Sequence, residues 1–259
     1  VRHVQDSRFA VLMIHGITGS PRHFDMLLPQ IPEDWSVYNI LLPGHGSTVA
    51  DFGASSMKAW KAEAKTTLEL ILQRHEKVLI VGHSMGTLFA VQGAIDHPDR
   101  VVGLFLLAVP LRPWVRFSSM LTCLRLLFPV REDDAAAQAL LHAAGTKLEP
   151  NPLKYISWAP RMLELLAECR RVRRILPQLR VGAKCFQSRV DEMVSMRSCK
   201  HLQTCSAEAA GKVYRTGIGS VGAFKQIVLN DTVMHTGDQI ALTGGAVGLG
   251  LLVAVQILD

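Results

Sequence analysis

Apolar runs alternate along this chain with stretches whose apolar positions recur every three or four residues. The runs are "FAVLMI" (9–14), "WSVYNILL" (35–42), "KVLIV" (77–81) and "VVGLFLLAV" (101–109), then "RVGAKCF" (180–186) and "KQIVLN" (225–230). Runs without polar alternation suit strands covered on both faces, as in parallel sheets. Between them, Met57, Trp60, Ala64, Leu68, Ile71 and Leu72 mark one stripe of a helix across "SMKAWKAEAKTTLELILQRH". "GTLFAVQGAIDHP" reads as a shorter helix that Pro98 stops. Strand and helix in alternation predict an α/β fold with a mostly parallel central sheet flanked by helices. Ligands of such sheets bind at the carboxyl ends of the strands.

Residues 111–178 break the rhythm. They hold no convincing strand and read as short helices divided by Pro129, Pro150, Pro152 and Pro160. The natural division is a core of 1–110 and 179–259, with a helical cap at 111–178 inserted after the strand at 101–109. The end of the chain is different again. Residues 240–258 run for 19 positions without a charge and include Gly244, Gly245, Gly248 and Gly250. That length passes the threshold for a membrane span, but so many glycines make a poor helix. A segment packed on the core is the expectation, and a membrane tail is the alternative.

Composition narrows the class. In 259 residues about half are apolar (49%), enough for a large core, and no repeat or low-complexity segment interrupts them. The five cysteines (Cys123, Cys169, Cys185, Cys199 and Cys205) are odd in number and form no C-x-x-C pair. This argues against a disulfide framework or zinc ribbon and fits a reducing, cytoplasmic compartment. "VRHVQDSRFA" lacks the apolar core of a secretory leader. The net charge of +6 is concentrated between 111 and 180, where twelve Lys/Arg stand against six Asp/Glu. A solvated helix face accounts for it most simply, and an attraction for anionic lipid or acidic substrate is the sharper reading. No recognition motif for nucleic acid accompanies the charge.

The candidate chemistry begins at Gly82-His83-Ser84-Met85-Gly86. An apolar strand precedes this G-x-S-x-G and a helix follows, the setting of a nucleophile elbow. The turn would lift the Ser84 hydroxyl above the sheet edge, and its glycines allow neighbouring backbone to approach. "HGITGS" (15–20) follows the first strand. Acyl transfer needs donors aimed at the oxygen that becomes negative, and the backbone amides of Ile17 and Met85 are the candidates. A serine nucleophile also needs a base, and the base an orienting acid. With ten histidines, composition alone cannot choose. His235 follows the last predicted strand by about five residues, and Asp191 lies just past another. Glu192 is the rival acid, and His201 the second candidate base.

These pieces together resemble the α/β-hydrolase superfamily, above all its bacterial carboxylesterase and monoacylglycerol lipase-like group. "VLMIHGITGSP", "LLPGHGST", "VLIVGHSMGTLFA", "DHPDRVVGLFLLAVP" and "CFQSRVDEMVS" carry the likeness, over about 9–110 and 180–202. The resemblance implies Ser84 as nucleophile, Asp191 as acid, His235 as base and the Ile17 and Met85 amides as an oxyanion hole. It also equates 111–178 with a cap over an acyl pocket. Trp114, Phe117, Met120, Leu121, Leu124 and Leu127 are the candidate lining there. The approach to the histidine, "NDTVMH", and the loose "GKVYRTGIGSVGAF" before it depart from the family pattern.

The expected function is therefore hydrolysis of a small-molecule carboxylic ester, with a short or medium acyl chain or a monoacylglycerol. It requires no metal or cofactor. The same fold serves thioester, amide or C–C cleavage equally well, and a non-catalytic ligand-binding module is the alternative from another class.

Overall fold

The computed structural model describes residues 1–25, 27–113, 145–188, 194–195 and 197–202, with the backbone alone of three short strands beyond them. Its centre is a parallel sheet of six strands: β1 (Phe9–Ile14), β2 (Ser36–Ile40), β3 (Lys77–His83), β4 (Val101–Leu107), β5 (Ala183–Ser188) and β6 (Val213–Thr216). Their spatial order is β2-β1-β3-β4-β5-β6. Register runs through Leu12↔Tyr38, Leu12↔Ile80, Val81↔Phe105 and Leu106↔Cys185.

The apolar runs form strands because both sheet faces are covered. Ala10, Leu12 and Ile14 of β1, Val78 and Ile80 of β3, and Leu104 and Leu106 of β4 enter one buried cluster. Their alternates Val11, Met13, Leu79, Val81, Phe105 and Leu107 enter a second, against Phe24, Leu27, Ile31 and Trp35. The first cluster lies under α2 (Met57–Arg74) and α3 (Met85–Asp96). The α2 residues Met57, Trp60, Ala64, Leu68 and Ile71 are buried, with Leu72 half-buried beside them. This is the stripe the spacing predicts. Ser56 caps the helix by accepting the Ala59 N–H at 3.1 Å, and α3 ends two residues before Pro98.

Several boundaries differ from the sequence reading. Strand β2 stops at Ile40, because Leu41 to Gly44 turn away from the sheet. A short helix α1 (Val49–Ala54) follows, with Thr48 and Asp51 forming a reciprocal capping box. The stretch read as loose, 211–224, contains β6, paired through Phe186↔Tyr214. The predicted strand at 225–230 lies outside the described residues. So do the 240–258 tail beyond Ile240 and positions 114–144, including Trp114, Phe117, Met120, Leu121, Leu124 and Leu127.

From the predicted cap the structure describes 145–178. A 3₁₀ turn (Pro152–Trp158) leads into α4 (Ala159–Ile175). Trp158 donates through its indole N–H to the Val49 carbonyl at 2.9 Å. Cys169 and Val172 of α4 and Leu176 just beyond it join the cluster beneath α2 and α3, so this helix belongs to the core layer. Among the described residues, no helix is long and apolar enough to cross a membrane.

Candidate functional site

All six strands run the same way, so their carboxyl ends share one edge. The chain leaves β1 toward β2 on one side and leaves β3 toward β4 on the other, which makes the β1/β3 crevice the topological switch point. Ser84 sits there, between the end of β3 and the first residue of α3. Its φ of 47° and ψ of −117° lie outside the ordinary regions for an L-residue. Backbone bonds hold the turn. The Ser84 N–H donates to the Leu107 carbonyl at 2.8 Å. The Ser84 carbonyl accepts from the Thr87 N–H at 3.0 Å and the Thr87 hydroxyl at 2.6 Å.

The flanking glycines are a packing necessity. A Cβ on Gly86 would overlap the Ile14 carbonyl, and one on Gly82 would lie 2.8 Å from the Thr87 Cα. The loop after β1 closes on the same point. A Cβ on Gly16 would stand 2.9 Å from Ser84 Cβ and 3.0 Å from His83 Nδ1. Thr18 is held at φ 56°, and its carbonyl accepts from the Gly145 N–H at 2.8 Å. The far end of the inserted segment is thereby joined to this loop. Among the described residues the Ile17 and Met85 N–H groups donate to no protein acceptor.

Among the described residues, four histidines gather around this edge, and composition and spacing gave none of them a role. The His15 ring meets His45 edge-on at 4.7 Å, and His23 stacks on His83 at 4.6 Å. Burial, then the neighbouring His45, lowers the His15 pKa to about 3. Burial lowers His45 to about 4 and drives His83 well below the ordinary imidazole range. His23 is lowered by burial as well. All four are neutral near pH 7, and both ring nitrogens of His15 are engaged. Packing explains them better than base chemistry does. Among the described residues, no three His, Cys, Asp or Glu side chains are grouped to hold a metal ion.

The remaining candidates divide. Asp191 and Glu192 lie outside the described residues. The chain enters their segment from the end of β5, which is paired to β4 through Leu107↔Phe186 at the same sheet edge. His235 lies in the short strand β7 (Met234–His235), paired antiparallel with β8 (Gln239–Ile240), and not in an open loop. Its side chain is outside the description. His201 lies on α5 (Ser198–Leu202), where its Nε2 accepts from the Arg112 guanidinium at 3.3 Å. Slight burial and the Arg173 and Arg112 charges lower its pKa. A cleft between α2 and α3, lined in part by Lys61, Lys65, Leu68, Phe89, Gln92 and Asp96, contains none of the candidate site residues.

A six-stranded parallel sheet with a serine on a strained strand–helix turn defines a class, and comparison with known proteins agrees. Residues 11–217 match the Alpha/beta hydrolase family, and the chain belongs to it. A 108-residue stretch is 35% identical to a pimeloyl-[acyl-carrier protein] methyl ester esterase of Neisseria meningitidis, over 41% of this chain and 39% of that protein. A 100-residue stretch is 27% identical to the thermostable monoacylglycerol lipase of a Bacillus species, over 38% of this chain and 39% of that one. The matches thus span about two fifths of each relative's length. The fold is also similar to a metagenome-derived lipolytic enzyme, with TM-score 0.61 and 22% identity over 85% of this chain and 89% of the other.

Proposed function

We propose that this protein is a carboxylic ester hydrolase acting through an acyl-enzyme on Ser84. The observation that carries the reading is the junction at the switch point. Ser84 stands on a left-handed turn, Gly16 abuts it, and the Ile17 and Met85 amides beside it donate to no acceptor among the described residues. In this reading His235 takes the Ser84 proton as the hydroxyl oxygen attacks the ester carbonyl. Asp191 orients the imidazole and stabilises its charged form. The two amides receive the oxyanion, each such donor lowering the barrier by roughly 3 kcal/mol. The alcohol leaves with the proton from the imidazolium, and water then releases the acid by the same relay.

The names of the Neisseria and Bacillus relatives favour two ester classes: methyl esters of carrier-bound acyl groups, and monoacylglycerols. Esters with short or medium acyl chains are the substrates to test first. Ser84→Ala should abolish both turnover of p-nitrophenyl esters and labelling by a fluorophosphonate. Labelling that persists on this variant would remove Ser84 from the role. The same ester series on His235→Ala tests the base, with a drop in kcat of at least a thousandfold expected.

A further inference from the structure

We infer that His15 is a positioning residue for the oxyanion site, acting through the peptide that joins Gly16 to Ile17; the inference rests on the ester-hydrolase reading above. The Leu42 N–H donates to His15 Nε2 at 3.0 Å. A neutral ring accepting at Nε2 carries its proton on Nδ1, and Nδ1 donates to the Gly16 carbonyl at 2.8 Å. The Gly19 N–H meets the same carbonyl at 3.1 Å. This oxygen and the Ile17 N–H belong to one planar trans peptide and point in opposite directions. Fixing the oxygen toward His15 and Gly19 therefore fixes the direction of the amide. A donor aimed before charge develops needs no reorganisation during the reaction.

The ring is well suited to this task. His15 is fully buried, at 0% exposure, with His45 against it. Burial keeps the ring uncharged and the Leu42 N–H keeps it in one tautomer, so the Gly16 bond persists near neutral pH. Its other tie, to Leu42, reaches the loop after β2. The orientation of the Gly16–Ile17 peptide is thereby referred to two neighbouring strands.

Two substitutions separate positioning from mere support. His15→Asn places an amide donor where Nδ1 stands and loses the acceptor for Leu42. His15→Leu loses both. We expect His15→Leu to lower kcat on a p-nitrophenyl ester by about 10- to 100-fold, with KM nearly unchanged. Binding of a trifluoromethyl ketone, which mimics the tetrahedral adduct, should weaken by a similar factor. His15→Asn should recover most of kcat while its Tm stays as low as that of His15→Leu. If His15→Leu does not fold, His15→Gln replaces it, since its longer amide reaches the Leu42 side and leaves Gly16 without the donor. Equal loss of kcat in the Asn variant and its comparator, or a loss carried by KM, overturns the positioning role. A wild-type chain that turns over no ester and takes no fluorophosphonate overturns the ester-hydrolase reading, and this inference with it.

Discussion

Ser84 stands in a backbone region that costs an L-residue on the order of 1–3 kcal/mol, and the backbone bonds and close packing around it hold that conformation in place. Gly86 must lie flush against the Ile14 carbonyl, and Gly16 against Ser84 itself. Gly86→Ala therefore forces α3 away from β1. We expect it to destabilise the fold by about 3 kcal/mol or more, read as a fall in the urea midpoint, with loss of fluorophosphonate labelling. Wild-type stability in this variant would show that α3 can shift at no cost, and the elbow would then be looser than its contacts indicate. The histidines teach a complementary lesson. Ten of them could not be ranked from the sequence, because burial and partners decide their chemistry. His15, His45 and His83 lie at the same sheet edge as Ser84, and burial lowers the pKa of each well below the ordinary imidazole value, a poor setting for a base.

At the scale of elements, the strands that were legible are those buried on both faces. The runs at 9–14, 77–83 and 101–107 need mostly apolar residues at consecutive positions, and their short length and the turns that bound them read them as strands. Strand β6 was not legible. It is four residues long, only Val213 and Tyr214 of its Val-Tyr-Arg-Thr sequence extend an apolar run, and it sits at the end of the described sheet order. Helix α1 did carry a signal, the Thr48-x-x-Asp51 box, which its shortness concealed. Nothing in the sequence separated α4 from the rest of the inserted segment. Beside the apolar contacts of Cys169 and Val172, it is tied to its neighbours by Glu168, a buried carboxylate that binds Arg171 at 2.7 Å and Lys61 of α2 at 3.1 Å. Arg171 in turn donates to Gln92 of α3 at 2.6 Å. Burial alone would raise the Glu168 pKa, but the two cations outweigh it and hold the carboxyl below its usual range. Glu168→Ala should cost about 2 kcal/mol in a urea titration. Glu168→Gln should cost less, since Lys61 and Arg171 are each about a third exposed and can turn to water. If Glu168→Ala leaves the urea midpoint unchanged, apolar packing alone seats α4.

For the whole molecule, the four histidines at the Ser84 edge, of which His15 and His45 are buried and His23 and His83 half-buried, set how it answers acid. The unfolded chain protonates each imidazole near its ordinary value of 6.5, whereas the folded chain holds His15 neutral to about 3 and His45 to about 4. His23 and His83 are lowered in the same direction. Below pH 6.5 the unfolded state therefore binds more protons than the folded state, and stability must fall as pH falls. The contribution of these rings is complete above the unfolded value and is lost progressively toward the folded ones. Each histidine adds up to about 1.4 kcal/mol per pH unit in that window. The carboxylates of Asp51, Glu76 and Glu168, whose pKa values are lowered in the fold, add a loss of the same sign at lower pH. Urea midpoints measured from pH 7.5 to 5 should thus decline steeply below 6.5, ahead of any carboxylate titration. Unfolding at pH 5.5 should take up more than one proton per molecule, measurable by calorimetry in buffers of different ionisation enthalpy. His23→Leu, which removes one titrating ring without touching the Gly16 carbonyl, should flatten the decline. A profile flat between 7.5 and 5 would mean that these rings are open to water, and the packed histidine edge behind Ser84 would have to be redrawn.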